Sequence, residues 1–72
     1  MTVAVKSEIT GKIWKVEAAV GQTVSQDDQI IVIESMKMEI PVLAPTGGVV
    51  QEIRVAEGED VLEGQVLATI GS

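Results

Sequence analysis

Shifted against itself by 37 positions, this 72-residue chain matches itself without a gap. Gly11 falls on Gly48, Ala19 on Ala56, Gly21 on Gly58 and Val24 on Val61. Apolar positions keep the same register: Val3 with Ile40, Val5 with Val42, Ile13 with Val50, Val16 with Ile53, Ile30 with Leu67 and Ile33 with Ile70. A valine-rich chain gives chance apolar matches, but it does not readily give two glycine pairs and a valine pair in one ungapped register. Two copies are too few for a solenoid, which needs at least about three. The usual alternative is a pair of halves, roughly 1–35 and 38–72, facing each other across a pseudo-dyad and sharing one core. Such a dyad maps the start of the first half onto the start of the second, at Met36–Lys37. That link is therefore expected at the end of the molecule opposite both termini.

Each half has the pattern of short strands. Thr2 to Lys6 alternates apolar and polar, Lys12 to Ala18 is β-like, and Ile30 to Glu34, ended by Ser35, has the look of a strand buried on both faces. The second half repeats this at Ile40 to Leu43, Val49 to Val55 and Gln65 to Ile70. Short strands at regular spacing suggest a small all-β sandwich or barrel. Gly21-Gln22-Thr23-Val24 and Gly58-Glu59-Asp60-Val61 have the character of turns, and Gly64 marks another. Asp27 stands at the counterpart of Gly64, and aspartate tolerates left-handed backbone better than most residues. No long segment keeps a helical period, and the content of Val, Ile and Thr favours strands. The length allows one domain, residues 1–72.

The inventory of side chains excludes much chemistry. There is no histidine and no cysteine, so zinc sites, Ser-His triads, imidazole catalysis and disulfides have no residues to build them. A net charge of -6 disfavours nucleic acid as a partner. The longest apolar run, Ile30 to Ile33, is far too short to cross a bilayer. With no secretory leader at its start and no cysteine, the chain is expected in the cytoplasm. Trp14 is the only aromatic residue. It aligns with polar Gln51, which points to partial exposure, but packing in the core is its expected role.

Lys37 is the only lysine beyond Lys15, and it lies between Met36 and Met38. A tight hairpin prefers Asn-Gly, Asp-Gly or a glycine at a central position, and Met36-Lys37 offers none. Propensity alone runs one strand from Ile30 to Leu43, whereas the repeat demands a break there. A place where local chemistry and global pattern disagree is a candidate functional site. Against the plain alternative of a solvated loop lysine stand its isolation, its place at the tip and its two methionine neighbours.

Glu34-Ser35-Met36-Lys37-Met38-Glu39 resembles the Glu-Ala-Met-Lys-Met-Glu attachment motif of biotinyl domains. Ala44-Pro45-Thr46-Gly47-Gly48-Val49 is similar to the Ala-Pro-x-x-Gly-x-Val segment that follows it in that family, and both Gly-x-x-Val turns agree as well. The likeness covers essentially the whole chain and is closest to single-domain biotin carboxyl carriers, also called biotin/lipoyl attachment proteins. It implies a flattened β-barrel, or barrel-sandwich hybrid, of two four-stranded antiparallel sheets with internal pseudo-twofold symmetry. It also implies that a biotin protein ligase joins biotin to Lys37. The biotin would then carry carboxyl from a biotin carboxylase to a carboxyltransferase of an acyl-CoA-type carboxylase, with no catalysis by the carrier itself.

Within that resemblance, Met36 and Met38 would serve as adaptable recognition contacts or as a cap on the barrel end, two roles of equal standing. Glu34 and Glu39 flank the tip almost symmetrically, and would orient a ligase by charge or merely solvate the hairpin. Pro41, Pro45, Gly47 and Gly48 have structural character. Ser35 departs from the usual alanine. No protruding thumb and no Ala/Pro-rich tail interrupts or extends the halves, which suits a free-standing minimal carrier or a domain excised from a larger chain; Met1 and the direct entry into a strand favour the free-standing one. Two rivals remain. One is a lipoyl carrier of a 2-oxo acid dehydrogenase or glycine cleavage system, whose tip is typically Asp-Lys-Ala. The other is an unmodified structural adaptor, which would tolerate loss of Lys37.

Overall fold

The computed structural model describes residues 1–71. Its elements are β1 (Thr2–Lys6), β2 (Gly11–Val16), β3 (Thr23–Val24), β4 (Gln29–Ser35), β5 (Met38–Leu43), β6 (Gly48–Ile53), β7 (Asp60–Val61) and β8 (Val66–Gly71). They form two four-stranded antiparallel sheets, ordered β1-β8-β6-β3 and β5-β4-β2-β7. Exchanging each strand for its counterpart in the other half turns the first order into the second. The repeat is thus a twofold that swaps the sheets, and the all-β fold expected from sequence is the one found.

The register repeats in detail. Val3 opposite Ile70 matches Ile40 opposite Ile33, and Ala4 opposite Thr69 matches Pro41 opposite Val32. Even the irregularities recur: the β2–β4 ladder skips Trp14 between Ile13 and Lys15, and the β6–β8 ladder skips Gln51 between Val50 and Glu52. These are β-bulges, one extra residue opposite a single partner. Between the sheets lies an aliphatic core in which Ile13, Ile30, Ile31, Ile33, Val50, Val61, Leu67 and Ile70 are all but fully buried.

The shared residues of the repeat have specific duties. A Cβ on Gly11 would stand 2.6 Å from the Glu34 carbonyl oxygen, and one on Gly48 would strike the carbonyl oxygen of Gly71. Only glycine permits that approach. Ala19 and Ala56 open matched turns: Gln22 N–H donates to the Ala19 carbonyl (3.0 Å), and Ala19 N–H donates to Gln22 Oε1 (3.1 Å). Glu59 serves Ala56 in the same way (3.1 and 3.3 Å). Asp27 adopts φ 73°, against 86° at Gly64, so the aspartate does occupy the left-handed position its counterpart predicts.

Two expectations need correction. The segments assigned wholly to turns end in the two-residue strands β3 and β7, which bring Val24 and Val61 into the core. Trp14 is not a core residue: it stands on the β2 bulge, 47% exposed. Alternation from Ile13, which enters the core, points Trp14 outward, and the bulge keeps Lys15 outward as well so that Val16 turns back toward the core.

Alternation also places Val32 and Thr69 on the outer faces of their sheets, since their neighbours Ile31, Ile33, Ala68 and Ile70 belong to the core. Both are buried nonetheless, and the Thr69 hydroxyl has no hydrogen-bond partner among the described residues. Its counterpart is Val32. Thr69→Val should therefore stabilise the fold by about 1 kcal/mol, raising Tm by about 4–8 °C in a thermal melt. An unchanged or lower Tm would contradict the orphaned hydroxyl.

Candidate functional site: the β4–β5 hairpin

β4 runs through the middle of its sheet, bonded to β2 on one side and β5 on the other, and Ile33 anchors it fully buried in the core. The hairpin continues from it: Ile33 faces Ile40, Glu34 faces Glu39, and Ser35 faces Met38. Two residues remain to turn the chain. Both have positive φ, 53° at Met36 and 65° at Lys37. That is the requirement of a two-residue type I′ turn, normally met by Asn-Gly or Gly-Gly. A side chain held there costs on the order of 1–3 kcal/mol. The register imposed by β4 and β5 holds the turn in place.

A polar anchor at the base assists. Ser35 Oγ donates to the Thr10 carbonyl (3.0 Å), and Thr10 Oγ1 accepts from the Glu63 N–H (3.3 Å). The hairpin stem is thus tied to the β1–β2 loop and the β7–β8 turn. The contact also fixes the orientation of the tip. Thr10 follows the end of β1 that lies away from Thr2, while Thr2 pairs with Gly71 at the other end. In a body 33 Å long and 17 Å across, Lys37 lies at the end opposite Thr2 and Gly71, as the dyad requires.

Lys37 is exposed, and among the described residues it has no hydrogen bond or ion pair. Met36 is 91% exposed and Met38 63%. Met36 therefore does not cap the barrel, which removes one of the two roles open to it. Glu34 and Glu39 are direct cross-strand partners, both exposed. Like charges in that relation destabilise a ladder. A groove of about 430 Å³ does exist, between the edge strands β1 and β5 over Val5, Ile33 and Val42, but Lys37 does not line it. The amine is presented in solvent.

The family model described as "Biotin-requiring enzyme" matches residues 1–70. The chain belongs to this biotin-requiring family. A biotin/lipoyl attachment protein of Bacillus subtilis is 38% identical over 72 residues, spanning 100% of this chain and 96% of its own length. A biotin carboxyl carrier protein of Streptococcus mutans is 42% identical over 60 residues, 83% of this chain and 46% of its own. In the crystal structure of the Kluyveromyces lactis urea carboxylase, a segment superposes with TM-score 0.94 and 39% identity, over 99% of this chain and 6% of that one. Membership of this family implies a covalently attached biotin and a carrier role. The hairpin fits such a group: amide formation needs a primary amine free of partners and open to solvent, and Lys37 is one.

Sequence reasoning singled out Glu34 through Glu39 but missed Thr10. The hydroxyl of Ser35, where the family motif has alanine, was the available signal, though nothing in sequence names its partner. The strained turn yields a direct test. Met36→Asn, which eases one left-handed residue, should stabilise the chain by about 0.5–1 kcal/mol, read as a higher denaturant midpoint at unchanged slope. No gain would mean that the tip is not held in that conformation.

Proposed function

We propose that Lys37 is the attachment point. A biotin protein ligase condenses the biotin carboxyl with Nζ. The tethered group then serves a biotin carboxylase and a carboxyltransferase of an acyl-CoA-type carboxylase. The observation that carries this proposal is the unpartnered Lys37 amine at the apex of the β4–β5 hairpin, at the end opposite Thr2 and Gly71.

The chain contributes position and little else. Alkylamines are almost wholly protonated at neutral pH, so the ligase must supply an activated acyl group and a base. The ammonium gives one proton to that base, the free amine attacks, the amide C–N bond forms as the activating group departs, and the second nitrogen proton leaves to base or water. The product loses one positive charge at the tip. Attached biotin supplies the carboxyl-carrying chemistry; the carrier supplies a rigid body and one mobile arm. Tethering converts transfer between two active sites into an intramolecular search at roughly millimolar effective concentration. Met36 and Met38, unbranched and polarizable, suit a tip that several enzymes must accept. Met36-Lys37-Met38 in place of Asp-Lys-Ala favours biotin over lipoyl.

The purified chain, incubated with biotin ligase, ATP and biotin, should acquire one biotin, mapped by peptide mass to Lys37, and Lys37→Arg should acquire none. Label on Lys6, Lys12 or Lys15, or none on the unaltered chain, would overturn the proposal. Added salt should slow the labelling, because Glu34 and Glu39 steer a basic partner. The Glu34→Gln, Glu39→Gln double variant should lose most of that salt dependence; an unchanged dependence would assign the steering elsewhere.

A further inference from the structure

The twofold gives each position on one sheet a counterpart on the other. Where the counterparts differ in chemistry, the fold itself does not dictate the choice. The two bulges differ most. On the outer face of the β1-β8-β6-β3 sheet, the Gln51 side chain fills the space where Gly71 would carry a Cβ and accepts a hydrogen bond from Thr2 Oγ1 (3.2 Å). That corner is neutral and closes on itself. The corresponding positions on the other sheet are Trp14, Glu34 and Glu39. Along this corner Glu39, Glu34, Lys12 and Asp60 stand in register across four strands, all exposed, three carboxylates to one ammonium. One step further from the tip, the bulge carrying Trp14 borders Val32, which is buried outside the core, and Val32 faces Pro41 on the edge strand. An indole thus stays in water at a position where a glutamine suffices to build the same bulge.

We propose that this outer corner, with Trp14 at its centre and the Glu34–Glu39 pair above it, is the surface that the biotin ligase grips. The matching ligase surface would be an apolar pocket for the indole, rimmed by lysine or arginine. The inference rests on Lys37 being the attachment point, and geometry selects the ligase among the enzymes that must meet this carrier. Before modification, only the four methylenes of Lys37 reach toward an active site. An enzyme acting on the bare amine must therefore sit against the hairpin stem, where Ser35 and Met38 form the first pair, Glu34 and Glu39 the second, and Trp14 lies just beyond. After acylation the arm is longer by the whole biotin, and later partners can stand further off. A cationic rim would also relieve the repulsion between Glu34 and Glu39 that the free hairpin bears. Exposed tryptophan is the residue type that most often dominates interfaces of this kind.

The experiment has two arms. Trp14→Gln copies the opposite bulge, so it should keep the fold and kcat while raising KM, lowering kcat/KM for biotin ligation by at least about tenfold. Gln51→Ala, on the other sheet, should leave labelling unchanged. In the second arm the Lys37→Arg chain carries 5-fluorotryptophan, a single fluorine at Trp14, and is titrated with ligase, biotin and ATP. Its resonance should shift or broaden saturably. Labelling of Trp14→Gln within about twofold of the unaltered chain would overturn the proposal. So would a resonance unmoved by ligase, or one that moves only with carrier concentration, which would make the corner a self-association surface. If the unaltered chain takes no label on Lys37, the attachment site itself is wrong; if it labels normally but Trp14→Gln does too, only the docking face is.

Discussion

Neither half of this chain can satisfy its own backbone. Among the described residues, β1 and β3 find their only strand partners in β8 and β6, and β5 and β7 find theirs in β4 and β2. An unpaired strand leaves a row of backbone donors and acceptors open, so each half completes the other's sheet. The interlocking leaves one covalent link between the halves, and antiparallel pairing of β4 with β5 compresses it to two residues. The tip is thus where the architecture requires a turn, whatever the local sequence prefers. Burial sustains the arrangement: Ile13, Ile31 and Ile33 from one half meet Val50, Ala68 and Ile70 from the other in a single core.

A carrier benefits from this division of labour. A small β-body with aliphatic packing is stiff, and of its three non-glycine residues with left-handed backbone among the described residues, Asp27, Met36 and Lys37, two lie at the hairpin tip. Met36 and Lys37 remain in left-handed backbone because the Ile33–Ile40 and Glu34–Glu39 pairs fix the register below them. Ser35 adds a hydrogen bond to a neighbouring loop. At the hairpin, sequence preference and backbone geometry conflict, the kind of disagreement that candidate functional sites tolerate.

Much of the fold was legible because the twofold demands identical residues at a few positions: glycine where strands crowd at Gly11 and Gly48, alanine at the matched turns, valine at the short inner strands. β3 and β7 escaped notice because two residues cannot display an alternation. Trp14 was misplaced because an aromatic residue between Ile13 and Val16 resembles core, although alternation from Ile13 and the polar counterpart Gln51 both point it outward. Lys37 was legible because the dyad fixes its location. The Ser35–Thr10 bond was not, since it joins residues 25 apart and no strand pattern names the partner of a hydroxyl.

The central claim is that a twofold β-scaffold offers one particular amine, and no other, to an enzyme that attaches biotin. Intact mass and a peptide map of the chain isolated from its own cells, grown with ample biotin, address it most directly. The account predicts a single adduct with the mass of amide-linked biotin on Lys37, and bare Lys6, Lys12 and Lys15. An unmodified chain, an adduct with the mass of lipoyl, or biotin on another lysine would contradict it.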